Sequence, residues 1–382
     1  MNILYCISSL YNSGGMERVL TLKANYLVQV YGYNIHIITT DQASQDIFYQ
    51  LDSRIKKLDL DINFDKDKNL LSKLIYRHIR QSKYKNRLIN YIRENKIDIC
   101  ISLGWKEINF LQDLKKYCKV ICERHFAINA ERVYANNHYG PFMAKIIGNY
   151  STRKIIKSTK NIDALVVLTK EDKQAWEKFN TNVVQIYNPS PFEIKASSNL
   201  SEKRLITVGR LEPQKGYDYL IEACIPVFKK YPEWRIDIYG DGSQKQYLQN
   251  MISDTHMDDN ICLCGVSKNI QQEYLKSSAF IMSSRYEGFP MVLLEAASFG
   301  LPLISFDCVS GPREIILHGF NGLLVELNDI SGLSRAIEKI IEDYKLRQEM
   351  GINSIERANQ FTIDSIMKQW DSLFRRMINS RQ

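Results

Sequence analysis

The sequence predicts an α/β protein of two doubly wound parallel sheets, on three observations. The chain has 382 residues, enough for two domains that each bury a core. Short apolar runs alternate with amphipathic stretches of helical period in both halves. The runs are apolar throughout, as in Ile99-Cys100-Ile101, which suits strands buried on both faces. Buried strands separated by helices give parallel sheets, with ligands expected at the strand C-terminal ends.

In the first half the expected strands are residues 2–8, 33–39, 97–103, 119–123 and 163–168. In the second they are 204–208, 235–239, 260–264, 279–283 and 303–306. They define an N-terminal Rossmann-like domain over 1–187 and a C-terminal one over 204–361, with a cleft between them. Residues 188–203, with Asn188-Pro189-Ser190-Pro191 and a polar continuation, are the expected linker. Over 362–380, Ile363, Ile366, Met367, Trp370, Leu373, Phe374 and Met377 recur with a helical period and make one apolar face. That face suits either a cap on its own domain or a return onto the first.

Composition excludes several classes. A hydrophobic fraction of 45% is ordinary for a soluble globular protein. No apolar run reaches ~18 residues, so no membrane span is expected. The start, Met1-Asn2-Ile3-Leu4-Tyr5-Cys6-Ile7, lacks a basic leader and reads as a first strand, not a signal peptide. The eight Cys fall mostly in apolar strand-like runs without a C-x-x-C, and are expected as reduced cytosolic thiols. Cys118 and Cys122 near His125 lack a second ligand pair, so no metal is expected there. The net charge of +8 is uneven: residues 65–96 carry ten Lys/Arg against three acids, and 143–160 five against none.

The most informative stretch is Ser283-Ser284-Arg285-Tyr286-Glu287-Gly288-Phe289-Pro290-Met291-Val292-Leu293-Leu294-Glu295, running on to Gly300-Leu301-Pro302. It predicts a strand, a Gly/Pro turn, and a short helix from about Pro290 to Gly300. Free N–H groups at such a helix start suit a phosphate. Glu295 is the one acid on an otherwise apolar helix, costly unless hydroxyls or N–H groups satisfy it. The two hydroxyls of a ribose would do so, and Glu287 in the turn could reach a second polyol. Phosphate, ribose and sugar in a row describe a nucleotide-sugar. A buried Glu tied to a neighbouring Arg is the bland alternative.

Glu287 and Glu295, framing Gly288-Phe289-Pro290, resemble the E-x7-E signature of retaining GT-B glycosyltransferases of family 4. Other landmarks follow along nearly the whole chain. Val208-Gly209-Arg210-Leu211-Glu212-Pro213-Gln214-Lys215-Gly216 resembles the family's G-R-x-x-x-x-K-G motif. Arg210 and Lys215 there can neutralise a diphosphate, in the ground state and as it leaves. Ser13-Gly14-Gly15-Met16-Glu17-Arg18 is similar to the glycine-rich loop that faces donor and acceptor; it lacks the third glycine of a dinucleotide loop. Glu123-Arg124-His125 resembles the segment whose His bonds the donor sugar, with Arg124 intervening, and His125 is assigned that role. Asp241 and Gly242 match the family's strand-to-helix loop, and Val266 the backbone at the base edge. Asp307-Cys308-Val309-Ser310-Gly311-Pro312-Arg313 resembles a subset that makes bacterial surface or lipid-linked glycans.

The resemblance implies two Rossmann-like domains in the GT-B arrangement. His125, Arg210, Lys215 and Glu287 are the expected catalytic residues. Gly14, Gly15, Asp241, Gly242, Val266, Gly288, Phe289, Pro290, Met291, Val292 and Glu295 join Arg210, Lys215 and Glu287 in holding the donor. It implies no cofactor and no metal: Asp59 with Asp61, and Asp65 with Asp67, read as solvated acids. The expected reaction moves a hexose or N-acetylhexosamine from a UDP-sugar to a growing bacterial surface or lipid-linked glycan. A sugar-nucleotide epimerase of the same architecture and a non-catalytic sugar-binding protein are the alternatives. The basic segment 66–96, with Leu71, Leu74, Ile75, Ile79, Leu88, Ile89 and Ile92 along one helical side, suits an anionic membrane surface or the diphosphate of a lipid-linked acceptor, or is a solvated face. Nucleic acid is not expected, since no binding motif accompanies the charge. The expected location is cytoplasmic, peripheral at the inner face of the membrane.

Overall fold

The computed structural model describes residues 1–64, 70–104, 106–128, 142, 148–180 and 182–379, without the side chains of 70–75. Asp65, Asp67, Leu71, Lys73, Leu74 and Ile75 therefore lie outside what is described. The chain divides into two compact units, Met1–Pro189 with Ile363–Gln382, and Ser190–Thr362.

The first unit carries a seven-stranded parallel sheet in the order β3-β2-β1-β4-β5-β6-β7. Its strands are β1 (Asn2–Cys6), β2 (Asn34–Thr39), β3 (Lys56–Asp59), β4 (Ile99–Ser102), β5 (Lys119–Arg124), β6 (Ala164–Val167) and β7 (Val183–Gln185). The five strands expected in this half are present. β3 and β7 escaped the sequence reading because Lys56-Lys57-Leu58-Asp59 is polar and exposed at the sheet edge, and β7 has only three residues. Alternate side chains of β1 serve opposite cores. Ile3 and Tyr5 pack with Leu20, Ala24 and Leu27 of helix Gly15–Gln29. Leu4 and Cys6 pack with Tyr84, Leu88 and Ile92 of helix Leu70–Glu94. Each such Leu or Ile contributes ~1.5–3 kcal/mol by leaving water.

The helix Ile363–Asn379 belongs to this unit and buries Ile366, Met367, Trp370, Leu373, Phe374 and Met377 in the same core as Ile3 and Tyr5. Tyr26 of helix Gly15–Gln29 donates to Asp364 at 2.5 Å, and Tyr33, just before β2, donates to Asp371, fixing the helix's register on this unit.

The second unit carries a six-stranded parallel sheet in the order β10-β9-β8-β11-β12-β13. Its strands are β8 (Arg204–Val208), β9 (Arg235–Tyr239), β10 (Ile261–Gly265), β11 (Ala279–Met282), β12 (Leu303–Phe306) and β13 (Gly322–Val325). Only β13 was not foreseen; Gly322 opens it, and a Cβ there would lie 2.1 Å from Leu303 O, so the close strand approach requires glycine.

Two expectations need correction. The expected linker, 188–203, is tied down over part of its length: Ser190 N–H donates to Phe361 O at 2.7 Å, Ser198 N–H to Phe299 O at 2.9 Å, and Leu200 is buried. Two of its backbone N–H groups thus bond to other parts of the second unit. Among its described residues the basic helix also does not keep one apolar side, because Ile79 is 61% exposed while Leu88 and Ile92 are buried. Several of its cations have local partners instead. Arg80 donates to Phe64 O at 3.5 Å, Lys83 to Asp61 O at 3.3 Å, and Arg87 to Leu60 O. Part of the charge excess therefore secures the backbone that follows β3.

Candidate functional site

In the second unit the landmark residues cluster in loops that leave the C-terminal ends of β8, β9, β11 and β12. The loop after β8 forms a single 3-10 turn, Pro213–Lys215, and closes at Gly216 with φ of +62°. A Cβ on Gly216 would lie 2.2 Å from Ser283 O, so only glycine lets this turn reach the end of β11. The two loops are stitched together. Arg285 N–H donates to Gln214 O at 2.8 Å, Gln214 Nε2 to Tyr286 O at 2.9 Å, and Ser283 Oγ to Lys215 O at 3.0 Å. Arg285 also donates to Asp218 at 2.5 Å and to Pro213 O, and lies over the Tyr219 ring.

The consequence is a defined meeting of two motif residues far apart in sequence. Lys215 Nζ donates to Glu287 Oε1 at 2.7 Å, their side chains 17% and 8% exposed. Lysine has three donors and a carboxylate about four acceptor positions, so each keeps capacity for a ligand beyond this bond. Cys308 is buried beside the pair, and burial first, then the Glu287 charge, pushes its thiol up to about 12. It stays neutral there.

Met291 opens the helix Met291–Ser298, with Pro290 as its cap. Gly288 and Pro290 are held from outside by Gly311 (φ +107°), where a Cβ would meet Pro290 Cδ at 2.5 Å and Gly288 O at 2.7 Å. The Ser310-Gly311-Pro312 motif thus acts on the turn that carries Glu287. Phe289 is buried and Val292 half-buried.

Glu295 sits on the same helix, 5% exposed, and accepts from Tyr274 Oη at 3.1 Å. That phenol comes from helix Ile270–Leu275. Tyr274 stacks on Phe299 at 5.4 Å and was not singled out in the sequence, because a Tyr in Gln-Gln-Glu-Tyr-Leu carries no motif.

Arg210 is exposed at the end of β8. Asp241 and Gly242 follow β9, with Asp241 O accepting from Leu211 N–H at 2.9 Å and Asp241 Oδ1 from Gly242 N–H at 2.9 Å. Val266, just past β10, is 76% exposed. So the structure brings Lys215 and Glu287 together and puts Arg210, Asp241, Gly242 and Val266 at neighbouring strand ends.

In the first unit, Gly14 caps helix Gly15–Gln29 in extended geometry and Gly15 has open space around it. His125 leaves the end of β5 with its side chain 8% exposed and Nε2 3.3 Å from Glu123 Oε1. Strand alternation explains the pairing: positions 123 and 125 share one side, whereas the guanidinium of Arg124 comes up against Gly104. Asp59 accepts from Thr39 Oγ1 at 3.0 Å and Asp61 from Asn63. Among the described residues no three His, Cys, Asp or Glu side chains gather as a metal site. All eight Cys are unpaired as disulfides, six of them buried, Cys264 half-buried and Cys262 exposed.

Residues 191–357, nearly the whole second unit, match the family described as glycosyl transferases group 1. An uncharacterized glycosyltransferase of Haemophilus influenzae is 27% identical over 376 residues, covering 97% of this chain and 98% of that one. A Campylobacter jejuni α-1,4-N-acetyl-D-galactosaminyltransferase, named for a PP-undecaprenol-linked GalNAc acceptor, is 26% identical over 387 residues and covers all of both chains. A Streptomyces coelicolor exopolysaccharide phosphotransferase is 38% identical over 225 residues, but this chain spans only 24% of its length. Among solved structures, S. aureus TarM in complex with fondaparinux, α-GlcNAc-glycerol and UDP has a TM-score of 0.75 at 17% identity, over 98% of this chain and 99% of that one. The fold is therefore GT-B. The group 1 match lies over the second unit, and the two relatives that span the whole chain are 26–27% identical to it.

Proposed function

We propose that this chain is a retaining glycosyltransferase of family 4. It moves a hexose or N-acetylhexosamine from a UDP-sugar to a growing bacterial surface or lipid-linked glycan. The observation that carries the reading is the Lys215–Glu287 contact at 2.7 Å, beside the helix that starts at Met291. It sets a phosphate-seeking cation next to a hydroxyl-seeking carboxylate at the ends of parallel strands, where ligands of such sheets bind. Arg210, Lys215 and the N–H groups of Met291 and Val292 take the diphosphate, each charge-assisted bond contributing about 1.5–3 kcal/mol. Gly288, Phe289 and Pro290 shape the turn, Glu287 takes the sugar hydroxyls and Glu295 the ribose. Asp241, Gly242 and Val266 lie on the base side. His125, Gly14 and Gly15 are assigned the sugar and acceptor.

The fixed cations serve the leaving diphosphate without a metal, and that diphosphate helps take the acceptor proton during same-face attack. A UDP donor is supported by the UDP in the TarM complex, and a lipid-linked acceptor by the name of the Campylobacter relative. Peripheral contact with an anionic inner membrane fits a crowded basic surface. Burial, then Arg77 and Lys106, lowers the pKa of Lys154, and Tyr76, Ile79 and Tyr150 are exposed. No helix of the described residues is long and apolar enough to cross a membrane.

The test is thermal stabilisation by UDP, UDP-glucose, UDP-galactose and their N-acetyl forms, followed by mass spectrometry with undecaprenyl diphosphate-linked acceptors. Proton NMR of the first product reads the anomeric configuration. Stabilisation by UDP and an α-linked product are expected. Conversion of the UDP-sugar without acceptor would instead identify an epimerase, and an inverted product would sink the retaining assignment.

A further inference from the structure

The first unit holds a charge cluster that the transfer chemistry above does not use. Lys23 projects from helix Gly15–Gln29 into a face that is otherwise Leu20, Ala24, Leu27 and Val28. It donates to both carboxylate oxygens of Glu123, at 2.7 and 2.6 Å, with both side chains 1% exposed. Glu123 Oε1 is in turn 3.3 Å from His125 Nε2. Trp370 of the C-terminal helix covers the ammonium, its ring centroid 3.9 Å from Nζ, and the Tyr5 ring of β1 stands at 5.8 Å.

We infer that Lys23, sealed under Trp370, sets the charge that Glu123 presents to His125 and so positions that imidazole. A buried ion pair is weak as a stability device, since an apolar pair of like volume serves the core as well. This one stands where β5 ends and His125 begins. A buried carboxylate facing an imidazole alone pulls a proton onto the ring. With Lys23 bonded to both oxygens, part of the carboxylate's charge is already balanced, so it pulls on a ring proton less than a lone carboxylate would.

The other groups around the carboxylate do not compete for this role. Tyr5 has its pKa raised by burial first and by Glu123 second, and stays neutral. Cys122 is pushed up to about 12, chiefly by burial. Arg124 on the same strand reaches toward Gly104. Burial opposes the charge on Glu123, but Lys23 and then His125 outweigh it and hold its carboxyl at about 2.

The value of this arrangement for transfer rests on the assignment of His125 to the donor sugar; the charge balance does not. The test therefore uses the full chain without substrate. His125 is titrated by NMR in protein labelled at histidine and identified through His125→Gln. In Lys23→Met the His125 curve should move to higher pH by roughly one unit relative to wild type. Lys23→Arg, which keeps the charge, should restore the wild-type curve. Should Lys23→Met fail to fold, Glu123→Gln is the second variant, and its His125 curve should move to lower pH. A His125 curve unchanged in whichever variant folds overturns the inference. The expected shift in a protein that transfers no sugar supports it and overturns only the transferase reading.

Discussion

The two units handle their ion pairs differently. In the second, Lys215 and Glu287 meet in loops beyond the strand ends, 17% and 8% exposed. In the first, Lys23 and Glu123 meet under Trp370, each 1% exposed. A pair with access to water can exchange its partner for a ligand at small cost. A sealed pair cannot, so it acts by fixing its neighbours. On the proposed function, the Lys215–Glu287 pair belongs to a site that binds and the Lys23–Glu123 pair to one that positions.

The sealed pair should show the larger stability effect. Lys23→Met leaves an uncompensated buried carboxylate and should lower the unfolding free energy of the first unit by about 3–5 kcal/mol, read by urea unfolding followed through hydrogen exchange of first-unit amides. Lys215→Met in the second unit should cost far less stability. Instead it should slow transfer by roughly 10²–10³-fold, because it removes a fixed cation from the leaving diphosphate. Equal stability losses in the two variants would erase the distinction.

Acid sharpens the same comparison. Glu123 has a folded pKa held down at about 2, so its contribution is fully present above the ordinary carboxylate range and is lost as pH falls from about 4.5 toward 2. Wild type should lose stability across that window, while Glu123→Gln, already weakened, should show a flatter limb. The smallest effect is expected at Arg210. It is exposed, and Arg210→Ala should weaken UDP binding by about 1.5–3 kcal/mol, measured calorimetrically, without changing thermal stability.

Ten of the thirteen strands among the described residues were legible as apolar runs, because strands covered on both faces leave a hydrophobic signature. The three that were not are an exposed polar edge, a three-residue strand and one opened by glycine. Within the candidate site, the turn from Glu287 to Met291 was readable because its residue types are constrained locally. Tyr274 was not, since its link to Glu295 spans two helices and leaves no local trace.

By itself, then, the chain determined its alternating elements, its parallel sheets and the loops that carry Lys215 and Glu287. Those features depend on neighbours within a few residues, and backbone geometry restricts which side chains fit. Only the tertiary structure decided that Lys23, Glu123 and Trp370 share one buried point. Their distance along the chain, from residue 23 to 370, means that nothing but packing brings them together.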